Sequence, residues 1–149
     1  MQPHSTAEFQ TTLQWIAPVM IAILFILAVS PIKEPNRKRF MAILLAGAGA
    51  AYLNGGGLGK WEMVFCAAMT ICSYQGLESY RLIGVGWLLH TGWDILHQLY
   101  GNPLLPFVAT SSLGCAICDP LIAAWCFAGA PSFYQVVRGK GVQATPPAS

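Results

Sequence analysis

Apolar positions in this chain fall into five blocks: Trp15 to Ile32, Phe40 to about Leu58, Trp61 to Leu77, Leu82 to Tyr100 and Leu113 to Ala130. The breaks between them carry charge or turn chemistry, as in "PIKEPNRKR", "NGGGLGK", "GLESYR" and "YGNPLLP". Each block is close to the ~20 residues that cross a bilayer at 1.5 Å per residue, several on the short side. The pattern predicts an all-α, integral membrane bundle of about five transmembrane helices, as a single domain, with a disordered tail at about 139–149.

Composition supports this reading. Of 149 residues, 55% are hydrophobic and 9% charged, and the mean hydropathy is +0.54. A soluble domain carries about 25% charged residues. The net charge of +2 matters less than its placement. With five spans, Lys33, Arg37, Lys38, Arg39, Arg81, Arg138 and Lys140 fall on one side and only Lys60 on the other. The positive-inside rule then puts the N-terminus outside and the C-terminus in the cytoplasm. The first 32 residues hold no Lys or Arg, so a cleavable signal peptide is not expected; the first block reads as a signal anchor. Gly47 and Ala51 in "AGAGAA" suggest a small-residue face for close helix approach. Asp119-Pro120 reads as a helix cap, which starts the fifth helix at 120 and leaves 104–119 as a re-entrant connection.

Candidate chemistry lies in the fourth block. His90, Asp94 and His97 are spaced i, i+4, i+7 and share one helical face. Ionisable groups inside a membrane are expensive and default to function. At 1.5 Å per residue Asp94 sits ~18 Å and His97 ~22 Å from the cytoplasmic end. Cys115, Cys118 and Asp119 return to about the same depth, and Glu62 and Asn54 close the layer. Glu62, beside Lys60 and Trp61, also suits a solvated interface. The Cys115-Ala-Ile-Cys118 spacing suits a metal or a disulfide, as well as two packed thiols. Cys66, Cys72 and Cys126 read as packing residues. His90, Asp94, His97 and Asp119 are the expected catalytic set, sharing one buried site. His90, Asp94, His97, Cys115 and Cys118 are the candidate ligands for zinc or another divalent metal.

No nucleophile elbow, phosphate-binding loop or H-E-x-x-H motif is present. Nucleic-acid binding has no support, because the few basic residues mark the membrane boundary. The blocks "GLESYRLIGVGWLLHTGWDILHQLYGNP" and "SSLGCAICDPLIAAWCFAGAPS" resemble a family of small multi-pass bacterial membrane proteins classed as a domain of unknown function. The likeness runs from about Arg39 to Ser132 and implies a bacterial inner-membrane location, with no activity to carry over. The size and the His90-x-x-x-Asp94 spacing are also similar, in architecture alone, to emopamil-binding-type sterol isomerases.

Three functions compete. An intramembrane enzyme would act on a lipophilic substrate, with a histidine as acid or base and Asp94 orienting it, or with a metal held by the same residues. A proton or metal-ion transport or sensing subunit would use them as a relay, and its five spans would require a homo-oligomer. A membrane assembly protein would use the polar layer as interhelical glue. The enzyme ranks first, with membrane lipid and a lipophilic small molecule as the expected partners.

Overall fold

The computed structural model describes residues 4–134, so the expected tail lies outside the described residues. The protein is all-α. Five α-helices follow in order: α1 (His4–Val29), α2 (Asn36–Ala50), α3 (Trp61–Gly76), α4 (Tyr80–Tyr100) and α5 (Ser111–Phe127), with a 3-10 turn (Ala51–Asn54) after α2. Among the described residues only α1 is long and apolar enough to cross a membrane, over Thr12–Val29 with a mean hydropathy of 2.3. The apolar α5 is shorter. The sequence explains the rest: α2 opens on "NRKR", and α4 has the length but carries His90, Asp94 and His97.

α4 is the central element. It packs most extensively on α5 and also against α3 and α2, while α1 lies against α5. Met41 and Leu45 of α2, Met69 of α3, Ile83 and Trp87 of α4, and Ala123 and Cys126 of α5 fill the core. The close approach of α2 to α3 occurs at Gly49, where a Cβ would run into the Met69 side chain. At Gly47, which the small-residue pattern nominated, nothing lies within 4 Å. Gly86 of α4 makes the same kind of contact with Leu45.

The two ends of the bundle differ. At one end Arg37 donates to the carbonyls of Ser30 and Ile32, to Tyr80 and to Glu34, and Ser30 Oγ accepts from the Phe133 amide. At the other end two connections are stitched together. Asn102 donates from its backbone to Gly56 O at 2.7 Å and from its side chain to Gly55 O at 2.7 Å. Gly55, Gly57 and Gly59 there take φ of 123°, 93° and 60°, a region that side-chain-bearing residues rarely enter.

The start of α5 departs from expectation. It begins at Ser111 rather than at Pro120, and Pro120 lies inside the helix. Ser111 and Ser112 hold the preceding chain with their hydroxyls, accepting from the amides of Leu105 and Leu104. Asp119 is therefore an interior helical residue facing α4, not a cap.

Candidate metal centre

His90, Asp94 and His97 lie on the face of α4 turned into the bundle, with exposures of 3%, 0% and 1%. Their i, i+4, i+7 spacing gives this directly. Asp119 comes in from α5 at 4% exposure, because α4 and α5 form the tightest helix pair.

His90 fixes the chemistry. Its Nε2 lies 3.1 Å from the Ala48 carbonyl, which can only accept, so Nε2 carries a hydrogen. The other nitrogen, Nδ1, lies 2.8 Å from Asp94 Oδ2 and 2.9 Å from Asp119 Oδ2. One N–H cannot serve two carboxylates fully. A neutral His90 would instead present a lone pair to both, and a cation could then sit among the three atoms.

A divalent metal fits that geometry. The three donor atoms lie within 4.8 Å of one another. Neighbouring ligands at right angles with bonds of about 2.1 Å are separated by about 3 Å, close to the two nitrogen–oxygen distances here. The charges agree as well. A single proton on His90 cancels one of two buried carboxylates, whereas a divalent cation cancels both, and an uncompensated buried charge is costly. Anchoring a ligand histidine through its second nitrogen to a backbone carbonyl is the usual way to orient it. One nitrogen and two carboxylate oxygens suit zinc, manganese or ferrous iron and leave positions open. Beside the triad, Trp87 Nε1 is a buried donor without a partner, one turn before His90. An added water or substrate oxygen would satisfy a group of this kind.

Two residues that the sequence did not nominate complete the surroundings. Tyr52 donates to Asp94 Oδ1 at 2.6 Å and lies 2.8 Å from Ser112 Oγ, which accepts from the Leu104 amide at 3.0 Å. Ser112 Oγ–H therefore points at Tyr52, and a directed chain runs Leu104–Ser112–Tyr52–Asp94. Tyr52 follows a run of small residues and precedes the glycine loop. Its depth at the end of the second block was the only signal for it.

His97 sits in a different arrangement. Its Nδ1 faces the Trp93 carbonyl at 3.0 Å, and its Nε2 lies 2.9 Å from Glu62 Oε1. Glu62 also accepts from the Leu58 amide and from Trp93 Nε1, both at 3.1 Å. These bonds describe a buried, hydrogen-bonded His97–Glu62 pair. Glu62 is 6% exposed, so the solvated-interface reading fails. A Cβ at Gly56 would collide with this pair, so the pair supports the glycine loop. Tyr52 joins the two groups: its ring stacks on His97 at 3.7 Å while its hydroxyl holds Asp94.

Cys115 and Cys118 are free thiols, half-buried on α5. They line an apolar groove with Pro18, Ile21 and Gly114, and they are not among the three grouped ligands. Cys126 is buried in the core.

No curated protein and no solved structure matches this chain. A family model matches residues 13–132, and the chain belongs to that family, the family of unknown function DUF6010.

Proposed function

We propose that this protein is a five-span enzyme of the bacterial cytoplasmic membrane. In this reading His90, Asp94 and Asp119 hold a divalent metal ion for chemistry on a lipophilic substrate. The observation that carries it is His90 Nδ1, set against two carboxylate oxygens while Nε2 is committed to Ala48 O.

The membrane part rests on an inverted distribution of polarity. Ile43, Met63, Val64, Ile71 and Leu99 are 56–71% exposed, while Asp94, His97 and Ser112 are sealed inside. Contiguous apolar exteriors of this kind belong against lipid or protein rather than water. Lys33, Arg37, Lys38, Arg39 and Arg81 share the end opposite the glycine loop, which makes that end cytoplasmic. α2 and α3, at 15 and 16 residues, are short for a span, and the polar ends of the bundle accommodate the difference.

A metal held by His90, Asp94 and Asp119 would supply Lewis acidity. The residues of the chain do the rest. Ala48 O would hold a neutral His90 in the tautomer that turns the Nδ1 lone pair to the metal, and Tyr52 orients Asp94. The Leu104–Ser112–Tyr52–Asp94 chain fixes the orientation of Asp94 from the wall of the cleft. Transport is the weaker reading, because Leu45, Ile83 and Trp87 close the core on the cytoplasmic side of His90.

The test is metal analysis of protein purified in lipid nanodiscs, with and without added zinc, manganese and ferrous iron. One equivalent that disappears in His90→Gln, with helical content unchanged, supports the centre. Protein that binds none of the three metals refutes it.

A further inference from the structure

Beside Tyr52 lies a cleft of about 410 Å3, walled by Gly55, Gly56, Asn102 and Leu104. None of its lining residues is charged. Its lining mixes polar and apolar surface, with the Tyr52 hydroxyl turned inward onto Asp94 and Ser112. No cationic side chain lines the cleft, so an anionic head group would find no counter-charge there. An uncharged hydroxyl or carbonyl would meet hydrogen-bonding groups instead.

A second cavity of about 280 Å3 adjoins it. Pro18 and Ile21 of α1, Val108 of the connection, and Gly114, Cys115 and Cys118 of α5 line it, and its surface is almost wholly apolar. Leu104 belongs to both cavities, and its amide is tied through Ser112 to Tyr52. The polar cleft and the apolar groove therefore meet at the residue where the hydrogen-bond chain to Asp94 begins. Gly114 leaves the groove open, since the nearest atom to a Cβ there is Pro18 Cγ at 3.7 Å.

We propose that cleft and groove form one binding site for a single-chain amphiphile with an uncharged hydroxyl or carbonyl head group. The head lies against Tyr52, and the chain passes Leu104 into the groove between α1 and α5. This names the substrate class of the enzyme read above and rests on that reading. It also gives the paired cysteines a place: they are the groove wall. A groove open toward the lipid admits such a molecule from within the membrane, without a passage through water.

The test uses the full chain in phosphatidylcholine nanodiscs and a dodecanol analogue carrying a diazirine in its chain. Photolysis and peptide mass spectrometry should place the label on residues 104–118 and around Pro18 and Ile21. Excess dodecanol should compete, and dodecyl phosphate should not. Gly114→Leu should reduce labelling by about tenfold, the loss expected when roughly two methylenes are kept out of the groove. Val108→Trp, at a half-exposed position in the connection, serves the same purpose if Gly114→Leu fails to fold. Label spread over all lipid-facing helices, insensitive to competitor and to both variants, overturns the proposal. Competition by dodecyl phosphate at least as strong as by dodecanol overturns the head-group assignment. Metal content, measured on the same samples, separates the two readings: bound metal without specific labelling sinks the amphiphile site alone, and specific labelling without metal sinks the metal centre alone.

Discussion

Asp119→Asn keeps the shape of the side chain while removing one ligand and one negative charge from the triad. In the metal-free protein two effects oppose each other. The buried carboxylate's desolvation, several kcal/mol for an ion, is relieved. Its attraction to a protonated His90, at 2.9 Å, is lost. At an effective dielectric of about 20 that attraction is also several kcal/mol, so metal-free stability should change by no more than about 1 kcal/mol. The metal-dependent part should behave differently. A metal at a hundred times its Kd stabilises the native state by about 2.7 kcal/mol. For a chain of this size that is roughly 5–11 °C in Tm. Loss of a ligand weakens binding by at least about a hundredfold, more than an outer-shell change does. The same metal concentration then leaves only about 0.4 kcal/mol, or about 1–2 °C. Thermal unfolding followed by tryptophan fluorescence, with and without metal, measures both quantities. An undiminished metal-dependent rise in the Asn variant would show that Asp119 is not a ligand. A metal-free loss well above 1 kcal/mol would show that a charged His90–Asp119 pair holds the fold.

Three further outcomes follow from the same geometry. Tyr52→Phe keeps the ring stacked on His97 and deletes the donor to Asp94, so metal affinity should fall about 10–100-fold with helical content unchanged, read by metal titration. His97→Gln should retain the full metal content yet lose about 3 kcal/mol of stability, because it leaves Glu62 buried without its imidazole partner; calorimetry with elemental analysis separates the two. Acid should release the metal. Protons compete for the lone pair of His90 and for the oxygens of Asp94 and Asp119, so affinity falls as pH falls, by up to about tenfold per pH unit for each proton taken up. Affinity that rises on acidification would refute carboxylate and imidazole ligation.

Family membership constrains little of this, since it brings no activity with it. The physical reading of the site therefore carries the functional argument. The inverted polarity of the bundle and the doubly faced Nδ1 of His90 are separate observations, and each can fail alone.

Much of the architecture was legible in the chain. Five apolar blocks gave five helices with the right order, and the charged or glycine-rich breaks fell at the connections, because helix interiors and turns demand different residues. The shared face of His90, Asp94 and His97 followed from helical periodicity alone. Three things did not follow. The α5 start was misplaced, since Asp-Pro resembles a cap and only the bonds made by Ser111 and Ser112 show that the helix has begun earlier. Glu62 was left between the polar layer and a solvated interface, because sequence position gives depth along a helix but not which side of it is covered. Tyr52 and Ser112 escaped notice, each being an ordinary residue until α2, α4 and α5 meet.

Sequence alone thus determined the helices, their order and the polar face of α4, all of which depend on neighbours within a turn or two. Tertiary structure decided how that face is divided. His90 turns to Asp119 and His97 to Glu62, seven residues apart on one helix, because α5 packs beside the first and α3 beside the second. Which partner a side chain meets is set by the packing of whole helices, and no local pattern encodes it.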